Sequence, residues 1–210
     1  MIILPSTYLP SIEHFAYIVK GDYVIDLGEH YIKRSNRNRA YIMTANGIMA
    51  LTVNIARANR PRTPMKNIEI DYSKRWQHQH WMAIVSAYKS SPFFDYYADS
   101  LEPIFMQKYE RLVDFSLAIT KEILRLLGLP AELKLSDTYV DSHTQDLDLR
   151  PKSKNDLHSA MPPYIQVFAD RHPFAPNLSI VDLLFCEGPA TLDYLSRFLS
   201  ASLTASGGRG

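Results

Sequence analysis

What this 210-residue chain lacks narrows its chemistry first. A single cysteine, Cys186, excludes an internal disulfide and suits a reducing compartment. No run approaches the roughly 18 apolar residues of a membrane span. The opening residues MIILPSTYLP lack the basic region and long apolar core of a secretion signal, so the expected location is the cytoplasm. No GxGxxG is present for a dinucleotide, no GxxxxGK[ST] for phosphates, and no HExxH or paired cysteines for zinc. The GxSxG nucleophile elbow is absent too. Cys186 sits in an apolar run near a helix end, away from the helix N-terminus that would activate it, and reads as a buried structural thiol.

The most informative scarcity is local. From His30 through Asn67 there is no Asp or Glu, while eight Lys or Arg occur, in a chain whose formal charge is only +1. Lys33, Arg34, Arg37 and Arg39 stand close together, interleaved with Asn36 and Asn38, and Arg57, Arg60, Arg62 and Lys66 follow. This is either a solvated basic face or an anion site. Like charges packed this closely repel unless an anion lies between them, and the arginine fork suits carboxylate or phosphate. The partner that fits is an anionic small molecule such as a nucleotide sugar. Nucleic acid fits less well, because the rest of the chain supplies opposing acid and no binding module accompanies the patch.

The hydrophobic share of 46% is that of an ordinary globular protein. The elements read as one α/β domain over residues 1–199 with a helical portion at 76–127, and the tail 200–210 has little to bury. Ile2–Leu4 and Tyr23–Leu27 read as strands joined by a short helix over Ile12–Val19, the basic parallel crossover. Tyr41–Thr44 and Ile48–Val53 form a hairpin around Asn46 and Gly47. Short strands are expected at 68–71, 133–135, 138–140 and in PPYIQVF, where Tyr164 and Gln166 alternate with apolar residues. Arg111–Leu127 is the cleanest amphipathic helix, and a further helix is capped by Ser179 with Asp182 at its third position. The fold expected is thus α/β, a mixed sheet with a basic β-hairpin and a helical layer.

The stretch WQHQHWMAIVSAYKSSPFFDYY organises the middle of the chain. Ser73 reads as its N-cap; Trp81, Ile84, Val85 and Tyr88 share one helical face, and Trp76, His80, Ala83 and Ala87 a second. Pro92 stops the helix before a dense ring cluster. The helix is either plain core with an aromatic lid or the wall of a pocket with His80 on its rim. His14, beside Glu13 and Phe15, is another candidate base. Asp141, His143, Asp146 and Asp148 carry metal-binding atoms at short spacing but match no specific metal motif, and His158 is equally ambiguous. No metal or other cofactor is assigned.

The segments PSTYLPSIEHFAYI, YIKRSNRNR, ANGIMALTVNI, WQHQHWMAIVSAYKSSPFFDYY and PYIQVFADRHPFAPNLSIVDLLFCEGP together resemble the WbqC-like family, from Ile3 through Pro189. The chain resembles a compact subgroup familiar from Bacteroides-like bacteria. It departs from many members in having Pro5 and Ser6 before the first tyrosine, and in Asp141–Pro163 replacing a longer αβ segment. The resemblance implies surface-polysaccharide, especially O-antigen, biosynthesis and an acyl or aminoacyl transfer to a nucleotide-linked amino sugar. It directs attention to Tyr8, Pro10, Phe15, Lys33, Arg37, Asn38, Arg39, Trp76, His80, Tyr88, Pro92, Phe93, Tyr164, Gln166, Asn177 and Asp182. In that reading Arg34, Arg37 and Arg39 hold diphosphate or carboxylate, His80 or His14 takes the amine proton, and Tyr164 or Asn38 stabilises negative oxygen. The alternative is a non-catalytic binding or assembly protein of the same pathway, its basic hairpin docking an acidic partner.

Overall fold

The computed structural model of the chain describes residues 1–56, 62–151 and 161–206, the last five by backbone alone. Strand β1 (Ile2–Pro5) runs parallel to β2 (Tyr23–Asp26), with Ile2 opposite Tyr23 and Pro5 opposite Asp26. Helix α1 (Ile12–Lys20) crosses between them, as the sequence predicts. The Ser11 hydroxyl accepts the His14 N–H at its start, and Gly21, at φ 90°, closes its end. Two short strands complete a parallel sheet: β5 (Leu135–Ser136) beside β2, and β6 (Leu147–Asp148) beside β1. The order is β5-β2-β1-β6. The chain therefore leaves β1 toward one edge and returns later to its opposite flank. In such sheets ligands gather beyond the carboxyl ends of the strands where the order reverses, here between β1 and β6.

The hairpin β3 (Arg39–Thr44) and β4 (Gly47–Thr52) is a separate antiparallel sheet, so parallel and antiparallel strands are divided between two sheets. Its turn lies one residue earlier than Asn46-Gly47 suggests: Thr44 pairs with Gly47 across Ala45 and Asn46. The Thr44 hydroxyl accepts the Asn46 N–H and donates to the Gly47 carbonyl, while Gly47 opens β4 at φ 98°.

Helices α2 (Trp76–Tyr88), α3 (Phe94–Met106) and α4 (Leu112–Leu126) form the helical layer. Trp81, Phe94, Phe105, Phe115 and Phe185 meet ring to ring in one core with β1 and α1. The ring cluster after Pro92 is thus the first turn of a helix, and that helix absorbs Glu102–Met106 and carries Pro103 inside it. Helix α2 begins at Trp76 without a side-chain cap; the Ser73 N–H is held by Asp71 instead. Helix α5 (Ile180–Glu187) is buried from Ile180 to Cys186, apolar except for Asp182, and ends at Gly188, which sits at φ 53° with a Cβ position 2.5 Å from the Phe93 ring. Only glycine fits there. Helix α6 (Thr191–Ser206) covers α1 and continues past the boundary where the sequence suggests a loose tail.

Three expected strands are absent. Residues 68–71 make only isolated bridges, Ile70 with Ile55 and Glu69 with Arg111. Residues 138–140 and 164–168 form no strand. The alternation of Tyr164 and Gln166 serves side-chain hydrogen bonds rather than a ladder. Conversely, the long loop after Asp141 contributes β6 to the sheet. Among the described residues, no helix is long and apolar enough to cross a membrane.

Candidate functional site

Beyond the carboxyl end of β2 the fold buries a chain of charges. Asp26, the strand's last residue, accepts the N–H groups of Gly28 and Glu29 at 2.8 and 2.9 Å on one oxygen. Its other oxygen takes Val140 N–H at 3.1 Å and Arg150 at 2.5 Å. Arg150 also grips Asp148 with two nitrogens, donates to the Val140 carbonyl and lies over the Tyr139 ring at 4.4 Å. Next to it, Glu29 receives both prongs of Arg37, whose Nη2 also donates to the Arg150 carbonyl at 3.1 Å. Arg37 is 1% exposed. Burial pushes the Glu29 carboxyl up, against the pull of Arg37. The anion opposite Arg37 is therefore the chain's own Glu29, the residue just before the acid-free stretch.

A second array joins the hairpin to α2. The Tyr8 hydroxyl meets Nδ1 of His80 at 2.8 Å, and Trp76 and Phe115 enclose the pair. Burial pushes the imidazole down to about 4, with the Thr52 backbone pulling slightly the other way. A neutral imidazole has one donating and one accepting nitrogen, so the Tyr8 hydroxyl and Nδ1 share a single hydrogen bond whose donor is set by the tautomer. His80 is a neutral, oriented side chain. Thr52 also accepts, through its hydroxyl, the Arg39 Nε–H at 3.1 Å. Tyr8, His80, Thr52 and Arg39 thus form a line from the first loop to the basic hairpin.

At the end of that line lies a narrow crevice of about 10 Å³, room for about one water, walled by Leu9, Ser11, Asn36, Arg39, Tyr41 and Ser179. Arg39 is half-buried and, among the described residues, has no acidic partner. Asn36 Oδ1 and Ser179 Oγ are buried without a hydrogen-bond partner, and so are Ser6 Oγ, Thr7 Oγ1 and Asn38 Oδ1 on the two adjoining loops. Those loops are tied together by the Tyr8 N–H, which reaches the carbonyls of Asn36 and Arg37. Orphaned buried polar atoms are uncommon and costly, each on the order of 1–3 kcal/mol. Leu9, Arg34 and Asn177, on converging loops, hold left-handed backbones at φ 42°, 58° and 54°. Strain of this kind in non-glycine residues concentrates at binding sites.

Behind the crevice, Asp182 in the first turn of α5 is completely buried and accepts from three groups. These are the Tyr88 hydroxyl at 2.7 Å, the Tyr164 hydroxyl and Gln166 at 3.2 Å. Burial raises its carboxyl, and the three donors oppose that. Tyr88 also accepts the Met43 N–H, so the hub fastens α2, β3 and α5 to the 164–175 loop.

The sequence candidates are therefore dispersed. Tyr8, Trp76 and His80 come together, as do Tyr88, Tyr164 and Gln166, while Asn38 and Arg39 border the crevice loops. Lys33 and Arg34 are exposed, and Asn177 accepts the Glu13 N–H at 3.0 Å. His14 is buried in α1, which pushes its imidazole down to about 3, and its ring takes no part in the described hydrogen bonds. Cys186 is buried and its thiol is pushed up by burial. Arg57, Arg60 and His158 lie outside the described residues. Asp146 accepts the His143 N–H and Asp148 is bound by Arg150. Among the described residues, no group of three or more His, Cys, Asp or Glu is arranged to hold a metal. Sequence reasoning passed over Asp26, Glu29 and Arg150. The one signal for Glu29 was its position at the edge of the acid-free stretch.

The chain matches the WbqC-like protein family over residues 6–156. It is 26% identical to an uncharacterized protein, Rv1507c, of Mycobacterium tuberculosis, over 92% of this chain and 96% of that one. No solved structure matches.

Proposed function

This chain belongs to the WbqC-like protein family, and from that premise we propose that it works in surface-polysaccharide (O-antigen) biosynthesis as an acyl- or aminoacyl-transferase, cytoplasmic, acting on a nucleotide-linked amino sugar. The observation that carries the reading is Arg39, half-buried and without an acidic partner among the described residues, in a crevice with the orphaned Asn36 and Ser179. Arg39 supplies donors for a phosphate or carboxylate. The two asparagine oxygens need donors, which sugar hydroxyls or an amine provide, and the three hydroxyls of Ser6, Thr7 and Ser179 serve either role. Lys33 and Arg34, exposed nearby in sequence, steer the anion toward the crevice. Neutral His80 is a base only after its Tyr8 hydrogen bond has opened. The compact-subgroup reading rests on the short Asp141–Pro163 segment alone.

The buried state of both candidate histidines favours the second reading, a non-catalytic binding protein of the same pathway. Calorimetry with a panel of nucleotide-linked amino sugars separates the outcomes. Arg39→Ala is expected to weaken binding at least tenfold, with Arg39→Lys intermediate. Unchanged affinity in Arg39→Ala removes the crevice assignment. Mass spectrometry after incubation with activated acyl and aminoacyl donors then distinguishes transfer from binding.

A further inference from the structure

Strand β4 leaves one of its edges open. Among the described residues it pairs with β3 alone. The phase of that pairing is set by what β3 does on its far side. The Met43 N–H turns away from β4 to the Tyr88 hydroxyl at 3.1 Å, and the Tyr41 carbonyl turns away to accept the Ser179 N–H at 2.8 Å. In an antiparallel ladder, residues directly opposite each other point their backbone groups either inward together or outward together. Ile48 stands opposite Met43 and Ala50 opposite Tyr41, so the N–H and C=O groups of both face the outer edge of β4. Among the described residues nothing pairs with them.

The edge carries none of the features that keep strands apart. Gly47–Thr52 contains no charged residue and no proline, its pairing with β3 runs without a bulge, and Ile48 and Met49 are 48% and 43% exposed. This edge is also its own complement. Two copies of β4 laid antiparallel across a two-fold axis at Met49 bring Ile48 of each copy opposite Ala50 of the other. That register joins every outward N–H and C=O of Ile48 and Ala50 in hydrogen bonds. The two Met49 side chains meet at the axis, and no like charges face each other across it. The crevice residues Arg39, Ala40 and Tyr41 lie on β3, the other strand of the hairpin.

We propose that β4 is a dimerisation edge, to which a second copy of this chain adds its own β4 antiparallel, so that two hairpins become one continuous sheet. The proposal is independent of the reading of the Arg39 crevice. One strand from each copy makes a small interface, so the dimer is weak and forms with rising concentration.

Sedimentation velocity over a micromolar concentration series tests it, and the parent is expected to pass from monomer to dimer. Ala50→Pro removes an outward N–H without touching the β3 ladder, and Met49→Lys sets two cations against each other on the axis. Each should weaken dimerisation at least tenfold, with circular dichroism verifying the fold, while Arg39→Ala dimerises like the parent. Where Ala50→Pro fails to fold, Met49→Lys decides. Oxidation reads the register. In Met49→Cys the two thiols face each other with α-carbons about 4.5 Å apart, within disulfide reach, whereas in Ile48→Cys they stand two residues out of step. Cys186 is buried and takes no part. A parent that stays monomeric throughout the series overturns the proposal. So does a dimer that survives Met49→Lys, or Ile48→Cys bridging as readily as Met49→Cys.

Discussion

The Tyr8 hydroxyl stands 2.8 Å from Nδ1 of His80, linking the loop after the first strand to the helix that follows the basic hairpin. Both residues are buried, so the hydrogen bond has no water to replace it. Tyr8→Phe leaves Nδ1 unsatisfied and should cost about 1–3 kcal/mol. Urea denaturation measures the loss. A variant as stable as the parent would mean that the imidazole finds another donor.

Stability should fall on acidification through two histidines. His14 and His80 are held neutral, pushed down from 6.5 to about 3 and about 4. A group depressed in the folded state contributes stability that is complete above its unfolded pKa and is lost as pH falls toward the folded one. Between pH 6.5 and pH 5 the loss approaches about 2 kcal/mol for each histidine. His80→Gln should flatten the slope of stability against pH over that range. An identical slope in His80→Gln and the parent would show that His80 does not carry the effect.

Arg37 and Glu29 are a buried pair whose partners cannot be removed singly. Arg37→Met strands a buried carboxylate and should cost about 3–5 kcal/mol, while Arg37→Met/Glu29→Leu should recover much of it. Thermal unfolding of the parent, Arg37→Met, Glu29→Leu and the double variant closes the cycle. If the double variant is no better than the single, the pair's neighbours, chiefly the Arg150 carbonyl, matter more than the pair.

Asp182 accepts from Tyr88, Tyr164 and Gln166, so its removal orphans two hydroxyl donors and leaves Gln166 only its bonds to Ala175 and Tyr164. Asp182→Ala should cost about 3 kcal/mol or more, and Tyr164→Phe only about 1 kcal/mol. Equal costs would place the burden on Tyr164 alone. Near-ultraviolet dichroism reports whether the 164–175 loop detaches.

The sequence by itself determined the elements whose signals are local. The β1–α1–β2 crossover follows from Ser11, Gly21 and the apolar residues between them, and α4 follows from its single apolar stripe. The hairpin followed from its turn residues, correct to within one residue. Tertiary structure decided what each charge and ring is for. Arg37 and Arg39 stand two residues apart in the same basic run, yet one is consumed by Glu29 and the other faces a crevice, because Arg37 lies in the loop before β3 while Arg39 opens the strand. Tyr164 and Gln166 alternate as a strand would, yet they turn inward to Asp182, since a buried carboxylate needs donors more than the sheet needs an edge. Pairings across 72 and 124 residues, Tyr8 with His80 and Asp26 with Arg150, carry no periodicity in the chain. Only folding brings those partners within a hydrogen bond of each other.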